Sequence, residues 1–269
     1  MIYLKSFKLS SFIDSNPNAY PDSVFRHIAG EVFVFDRITI CYGSNGAGKS
    51  SLLNIIANKL QIKGSERLTS YGENKYALNF INYCSYELGE DERERKHHSL
   101  PAESQYLKSE DILYEIKKIQ QQQALRESLL FHEAQVASTR EALEEYSRSQ
   151  KLQKQLENIS FGQEKYSNGE TSLQFFDNYL QPNALYLLDE PETSLSPANQ
   201  IKLAEQINEL AKYFDCQFII ATHSPFMLGT LQAKIYNLDA RPLRTAEWYE
   251  LENVRFFYSF FQKHYNLFQ

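Results

Sequence analysis

The stretch Gly43-Ser44-Asn45-Gly46-Ala47-Gly48-Lys49-Ser50 constrains the fold of this chain more than any other. It matches the pattern G-x-x-x-x-G-K-[ST]. Before it runs an apolar, β-branched segment, Ile38-Thr39-Ile40-Cys41-Tyr42, which reads as a strand. After it, Ser50 to Leu60 carries helical apolar spacing at Leu52, Leu53, Ile56, Ala57 and Leu60. Strand, glycine loop and helix are the context this pattern requires. The glycines let the backbone curl so that successive N–H groups face inward and hold phosphate oxygens. The helix aims its positive end at the same anion. Lys49 adds a mobile cation near the β- and γ-phosphates, and Ser50 offers a hydroxyl to Mg²⁺. At ordinary glycine usage the pattern would arise by chance in about one chain in a hundred of this size.

The rest of the chain suits such a fold. Its 269 residues suffice for one large α/β domain, 1–269, with a buried core. Hydrophobic residues make up 42% and charged residues 23%, a globular balance. The formal net charge of −6 argues against a uniformly basic coat for nucleic acid, leaving only local patches such as Arg93-Glu94-Arg95-Lys96-His97-His98. Three scattered cysteines, Cys41, Cys84 and Cys216, suggest neither a disulfide framework nor a metal pair and fit a reducing compartment. No apolar run reaches the roughly 18–20 residues of a membrane span, and Met1 to Phe12 lacks the pattern of a signal peptide. The expectation is a cytoplasmic protein without membrane insertion.

Along the chain, Ile2-Tyr3-Leu4 and Phe7 to Phe12 suggest an opening strand, and Val32 to Phe35 another. The texture changes near residue 87. Glu90 to His98 is almost wholly ionisable and reads as a solvated loop. Ser109 to Glu157 is polar and helix-prone, with Leu129, Val136 and Leu143 seven residues apart. The heptad lapses at Gln120 to Gln123 and Gln150, so a bent pair of helices fits better than a coiled coil. Residues 87–165 are therefore expected to form a helical insertion lobe. The last third returns to α/β rhythm: strands at 184–188, 218–222 and 234–238, and a helix from Ser196 to Phe214. Short apolar strands alternating with helices argue a mostly parallel sheet flanked by helices. The strongly aromatic end, Trp248 to Phe268 within 240–269, reads as a terminal helix docked onto the core.

Three further stretches carry chemistry. Leu185-Tyr186-Leu187-Leu188-Asp189-Glu190-Pro191-Glu192 is an apolar strand ending in carboxylates. Downstream of a phosphate loop, Asp189 fits the second protein ligand of Mg²⁺. Glu190 stands where a carboxylate could polarise a water for attack on the γ-phosphorus. Ala221-Thr222-His223-Ser224-Pro225 ends another strand, and its His223 could hold that water or touch the γ-phosphate. Tyr166-Ser167-Asn168-Gly169-Glu170 alone reads as a turn and helix cap.

Taken in order, phosphate loop, Ser-x-Gly-Glu, LLDEPE and THSP resemble an ABC-type ATPase, and a P-loop NTPase fold of that type is expected. The Asp-Glu-Pro-Glu and Ser-Leu-Ser-Pro pieces are similar to the soluble AAA-family branch related to SMC-like, RecF-like and OLD-family proteins. The resemblance spans Tyr42 to Pro225, and the terminal Trp248-Tyr249-Glu250-Leu251-Glu252-Asn253-Val254-Arg255 resembles small bacterial members. It implies ATP and Mg²⁺ bound by Gly43 to Ser51, with Ser50 and Asp189 at the metal. It implies Glu190 as catalytic base and His223 as the switch histidine. It implies Ser167 and Gly169 as a signature that contacts the γ-phosphate of a nucleotide held by a second copy, hence an ATP-dependent homodimer. Ser194-Leu195-Ser196 would be the loop touching the partner near the phosphate. The signature departs from the transporter pattern, with Asn168 in place of a glycine and Glu170 in place of a glutamine. No convincing glutamine loop precedes the helical stretch: Gln105 is a poor candidate. The sequence assigns no aromatic to stack on adenine, with Phe12, Tyr20 and Phe25 as candidates.

The reading that follows is a soluble ATPase that changes shape with nucleotide and acts on an unidentified protein partner in a regulatory or defence role. A DNA-associated repair ATPase and the motor subunit of a membrane transporter are the alternatives, and a non-hydrolysing interaction module is the remaining class. A phosphate-loop kinase leaves Ser167 to Glu170 unexplained.

Overall fold

A computed structural model of the chain describes residues 1–12, 16, 18–68, 75–90, 97–108, 110, 111, 114, 176, 179–193 and 195–269. Most of the charged loop at 90–98, nearly all of the polar helical stretch at 109–157, the Ser167–Glu170 turn and Ser194 lie outside them. The chain divides into two compact units, one made of Met1–Ser109 with Leu180–Gln269, the other of Glu110–Tyr179. All the described strands lie in the first unit.

Two sheets form it. β1 (Leu4–Lys8), β2 (Val32–Val34) and β4 (Ser85–Leu88) make an antiparallel sheet in the order β2-β1-β4. The second has six strands in the order β5-β6-β7-β3-β8-β9. Its members are β3 (Ile38–Tyr42), β5 (Gln105–Lys108), β6 (Leu185–Asp189), β7 (Gln217–Ala221), β8 (Lys234–Asn237) and the two-residue β9 (Arg244–Thr245). All its pairings are parallel except β8 with β9. Every residue of β3, β6 and β7 is buried. This is why they read as unbroken apolar runs rather than alternating ones: a parallel strand is covered on both faces.

Helices α1 (Asp22–Phe25), α2 (Lys49–Lys59), α3 (Tyr76–Tyr83), α4 (Pro197–Tyr213), α5 (Pro225–Thr230) and α6 (Glu252–Lys263) complete the described elements. In α2, Leu52, Leu53, Ile55, Ile56 and Ala57 are all fully buried. Burial of each large aliphatic among them is worth about 1.5–3 kcal/mol, which holds the helix that begins at the phosphate loop firmly on the sheet. α4 and α5 start alike. Ser196 and Ser224 accept the backbone N–H three residues on, and Pro197 and Pro225 occupy the first helical turn.

One buried polar residue ties the two sheets together. The Gln217 side chain accepts N–H groups from Tyr3 and Leu4, both at 2.8 Å, and donates to the carbonyls of Leu4 at 2.8 Å and Asp36 at 3.1 Å. All four bonding positions of the amide are used, which permits a glutamine in the middle of a hydrophobic core.

Several expectations are corrected. The opening strand expected from Ile2 to Leu4 and Phe7 to Phe12 is Leu4–Lys8, its register set by pairing Phe7 with Phe33 and Tyr86. The helix α3 and the strands β4 and β5 go unread in the sequence. The aromatic end is not one helix over 240–269 docked on the core. It consists of β9, a 3-10 turn at Trp248–Glu250, α6 and a second 3-10 turn at Tyr265–Leu267. Leu251 and Val254 anchor it, while Phe256, Tyr258, Phe260 and Phe261 are exposed. Consecutive residues point about 100° apart around a helix, so aromatics at 256–258 and 260–261 cannot all face one surface.

Candidate active site

Strand register brings the functional side chains to one edge. Cys41 pairs with Ala221, Asp189 with Ala221, and Tyr42 with Asn237. The chain therefore leaves β3, β6, β7 and β8 at one level, through Gly43, Glu190, Thr222 and Leu238. Carboxyl ends of parallel strands are where open α/β sheets bind ligands.

The phosphate loop needs its glycines here. Gly48 caps α2 at φ 91°, in the left-handed region. A β-carbon on Gly48 would stand 2.5 Å from Val24 Cγ1, and one on Gly43 would stand 2.7 Å from the Ala47 β-carbon. Ser44 is held by Asp239, whose carboxylate accepts the Ser44 N–H at 2.7 Å and the Ser44 hydroxyl at 2.9 Å. Asn45, Gly46 and Ala47 form the turn, closed by the Ala47 N–H donating to the Ser44 carbonyl at 3.1 Å.

Lys49 is 5% exposed. Its ammonium donates to the carbonyls of Gly43 at 3.0 Å and Ser44 at 3.3 Å, and lies 3.7 Å from Glu190 Oε1. The cation is thus folded back over its own loop, next to the carboxylate after β6. Ser50 follows it, and its hydroxyl donates to Asp189 Oδ1 at 3.0 Å. Tyr106 of β5 donates to the other Asp189 oxygen at 3.3 Å. Burial raises the Asp189 carboxyl above its ordinary 3.8. The Ser50 bond opposes the shift and the Glu190 charge adds to it. Burial and the Asp189 charge push the Tyr106 phenol well up. Among the described residues no group of three His, Cys, Asp or Glu side chains could hold a metal. A hydroxyl beside one carboxylate suits a hard, oxygen-seeking cation that takes its remaining ligands from phosphate and water, as Mg²⁺ does.

Glu190 carries backbone strain. It lies at φ 47°, uncommon for a residue with a side chain, and its N–H donates to the Ala221 carbonyl at 2.8 Å. The turn this imposes ends β6 and brings Glu190 Oε1 between Lys49 and the His223 ring, whose Nδ1 is 3.4 Å away. Glu190 is 30% and His223 49% exposed at the side chain, so both reach solvent.

Glu192 is the residue the sequence did not single out. It is buried, accepts the Thr222 hydroxyl at 2.6 Å and the His223 N–H at 3.3 Å through Oε1, and leaves Oε2 without a protein partner. Burial raises its carboxyl above the ordinary 4.5, opposed by those bonds and by His223. It fastens the turn after β6 to the His223 segment. Tyr106 and Asp239 were missed as well, because only strand order brings them near the loop, and Asn253 because only the packing of α6 does.

Ser51 lies on the first turn of α2, where its side chain meets the Tyr20 hydroxyl. Of the aromatics considered for adenine, Phe25 is fully buried against Phe80, and Phe12 stacks on Tyr83 at 4.5 Å between ring centroids. Phe12 and Tyr20 are both partly exposed. Gln105 opens the edge strand β5. Ser196 serves as the cap of α4. Ser167 and Gly169 lie outside the described residues. All three cysteines are buried and free, and no described helix is long and apolar enough to cross a membrane.

The family model described as ABC transporter matches residues 33–193, more than half of the chain. The model described as AAA ATPase domain matches residues 170–228. No curated protein matches. Similar solved structures include the Smc head domain of Pyrococcus furiosus, with an extended coiled coil and bound to the C-terminal domain of ScpA. It is 15% identical, with 93% of this chain and 98% of that chain covered and a TM-score of 0.46. The SMC head domain from Thermotoga maritima is 16% identical, over 88% of this chain and 94% of that one, at a TM-score of 0.42. A nucleotide-free ATP-binding cassette from an ABC transporter is 14% identical, over 88% and 87%, at 0.41.

Proposed function

The chain belongs to the ABC transporter family and is an ATP-binding, ATP-hydrolysing enzyme; from that premise we propose that two copies clamp ATP head to tail and use its hydrolysis to change the shape of a protein partner. The observation that carries the reading is the meeting of Lys49, Ser50, Asp189, Glu190 and His223 at one sheet edge.

The geometry supports the following division of labour. The loop from Gly43 to Ser51 receives the phosphates through backbone N–H groups and the dipole of α2. Lys49, now bonded to its own loop and beside Glu190, turns toward the β- and γ-phosphates. This leaves the Glu190 carboxylate without its cation neighbour and free to accept a proton from the attacking water. Ser50 and Asp189 would hold Mg²⁺. When bound, Mg²⁺ neutralises charge developing on the β- and γ-phosphate oxygens. His223 steadies the water and γ-phosphate from the far side of Glu190.

Ser167 and Gly169 supply the half of each site that a single copy lacks, contacting the γ-phosphate held by its twin. ATP bridges the two copies, and loss of the γ-phosphate lets them part. Of the lobe expected over 87–165, the end of β4 and all of β5 belong to the sheets of the first unit, and the second unit, Glu110–Tyr179, is the part that conveys the motion to the partner. We assign the protein a regulatory or defence role rather than a place on DNA, since its net charge is −6.

Mixing two dead variants tests the shared site. Lys49→Ala loses the phosphate loop's cation and Ser167→Arg loses the signature, so each alone should be inactive. In an equal mixture half of the dimers are mixed and each keeps one intact site, so about a quarter of wild-type turnover should return. A mixture as inactive as its components would overturn the head-to-tail arrangement.

A further inference from the structure

The terminal Trp-Tyr-Glu-Leu-Glu-Asn-Val-Arg segment has no part in the scheme above, yet it touches the site. Asn253, in the first turn of α6, makes two bonds there. Its side-chain Nδ2 donates to the His223 carbonyl at 2.7 Å, and its backbone N–H donates to the Tyr42 hydroxyl oxygen at 3.2 Å. Tyr42 is the last residue before the phosphate loop, and His223 leaves the neighbouring strand two residues after Ala221. Asn253 therefore joins the exits of β3 and β7 from outside the sheet.

The segment is itself held in place. Leu251 is fully buried and Val254 nearly so. The Trp248 ring lies over α5, 3.5 Å from the point where a β-carbon on Gly229 would stand. Glu247 and Glu250 close a reciprocal capping box around the 3-10 turn. The His223 peptide is thus gripped at both ends. Glu192 accepts its N–H at 3.3 Å, and Asn253 donates to its carbonyl.

We propose that Asn253 is a positioning residue for ATP hydrolysis, setting the distance of the His223 ring from Glu190 by holding the His223 carbonyl in register with the phosphate loop. This rests on the reading that His223 acts at the γ-phosphate. The ring is half-exposed, with Nδ1 3.4 Å from Glu190 and 3.9 Å from Glu192, so fixing the backbone is the means of fixing the ring. Small misplacements of a reacting group are costly to rate and leave binding alone.

The test is steady-state ATPase kinetics on Asn253→Ala and Asn253→Asp, with His223→Ala and the His223→Ala/Asn253→Ala double variant in parallel. Asn253→Asp keeps the shape and loses the donor, so it separates the bond from the packing should Asn253→Ala prove unstable. Both single variants at Asn253 should lose about tenfold in kcat, with ATP affinity by direct titration within about twofold of wild type. In the His223→Ala background the Asn253 substitution should cost nothing more, since the two act through one group. Wild-type turnover in Asn253→Asp, or the same tenfold loss on top of His223→Ala, would overturn the proposal while leaving the role of His223 standing. Wild-type turnover in His223→Ala would overturn that role and this proposal together.

Discussion

Replacing Gly48 by alanine probes the phosphate loop at its tightest point. At φ 91° and ψ 16° an L-residue sits in the left-handed region, which costs about 1–2 kcal/mol. The new methyl would stand 2.5 Å from Val24 Cγ1 and 3.1 Å from Phe25 Cε1. Val24 is stiff at χ1 and Phe25 is fully buried, so neither yields freely. Overpacking of this kind adds about 1–3 kcal/mol, for a total of about 2–5 kcal/mol. Two readouts share that total. If the loop keeps its shape, the folded state bears the strain. At about 2–4 °C per kcal/mol for a chain of this size, the melting temperature falls by up to about 20 °C. If the loop backs away, ATP binding bears it, at tenfold in Kd per ~1.4 kcal/mol. Gly46→Ala is the control. Gly46 has φ 85° but nothing within 4 Å of a β-carbon, so only the backbone cost of about 1–2 kcal/mol applies. Differential scanning fluorimetry and titration with ATP measure both terms. A Gly48→Ala variant no worse than Gly46→Ala in either would refute the steric argument.

Other consequences follow from the buried polar groups. Gln217→Ala leaves the Tyr3 and Leu4 N–H groups and the Leu4 carbonyl without their partner. At about 1–3 kcal/mol per orphaned group, equilibrium denaturation should show a loss well above that of an ordinary surface truncation. Glu192 gives a pH signature. Its carboxyl is raised above 4.5 in the folded state, so its contribution is fully present below that value and is lost as pH rises through the raised value. Its neighbours are the Thr222 hydroxyl, the His223 N–H and ring, and Glu190 beyond the ring. Glu192→Gln mimics the neutral form, so its melting temperature should gain on wild type steadily as pH is raised from 4 toward neutrality. A constant difference across that range would contradict the burial argument. Tyr106→Phe removes one donor from Asp189. Asp189 should then need more Mg²⁺ for half-maximal turnover, by a fewfold, in a metal titration of activity.

How far the sequence could be read depended on what each part needs from distant residues. β3, β6 and β7 were legible because a strand buried on both faces is apolar along most of its length. α2 and α4 showed through their apolar spacing. By contrast, β4 is only half-buried and carries Glu87 in its middle, and β5 has two apolar residues in four. Such strands exist only because a partner pairs with them. The site divides the same way. Lys49, Ser50, Asp189, Glu190 and His223 sit at the ends of legible strands within short motifs. Tyr106, Glu192, Asp239 and Asn253 reach the site through strand order and side-chain direction, which no local pattern encodes. The terminal aromatics misled in the other direction. Composition implied burial, but their spacing around α6 leaves most of them in solvent.

The account stands on ATP joining two copies of the chain. Light scattering on Glu190→Gln, the variant expected to slow hydrolysis, measures this directly. With ATP and Mg²⁺ the mass should be twice 31.4 kDa, and it should return to 31.4 kDa when ADP replaces ATP or when Lys49→Ala is added. A mass of 31.4 kDa at saturating ATP would contradict the shared site.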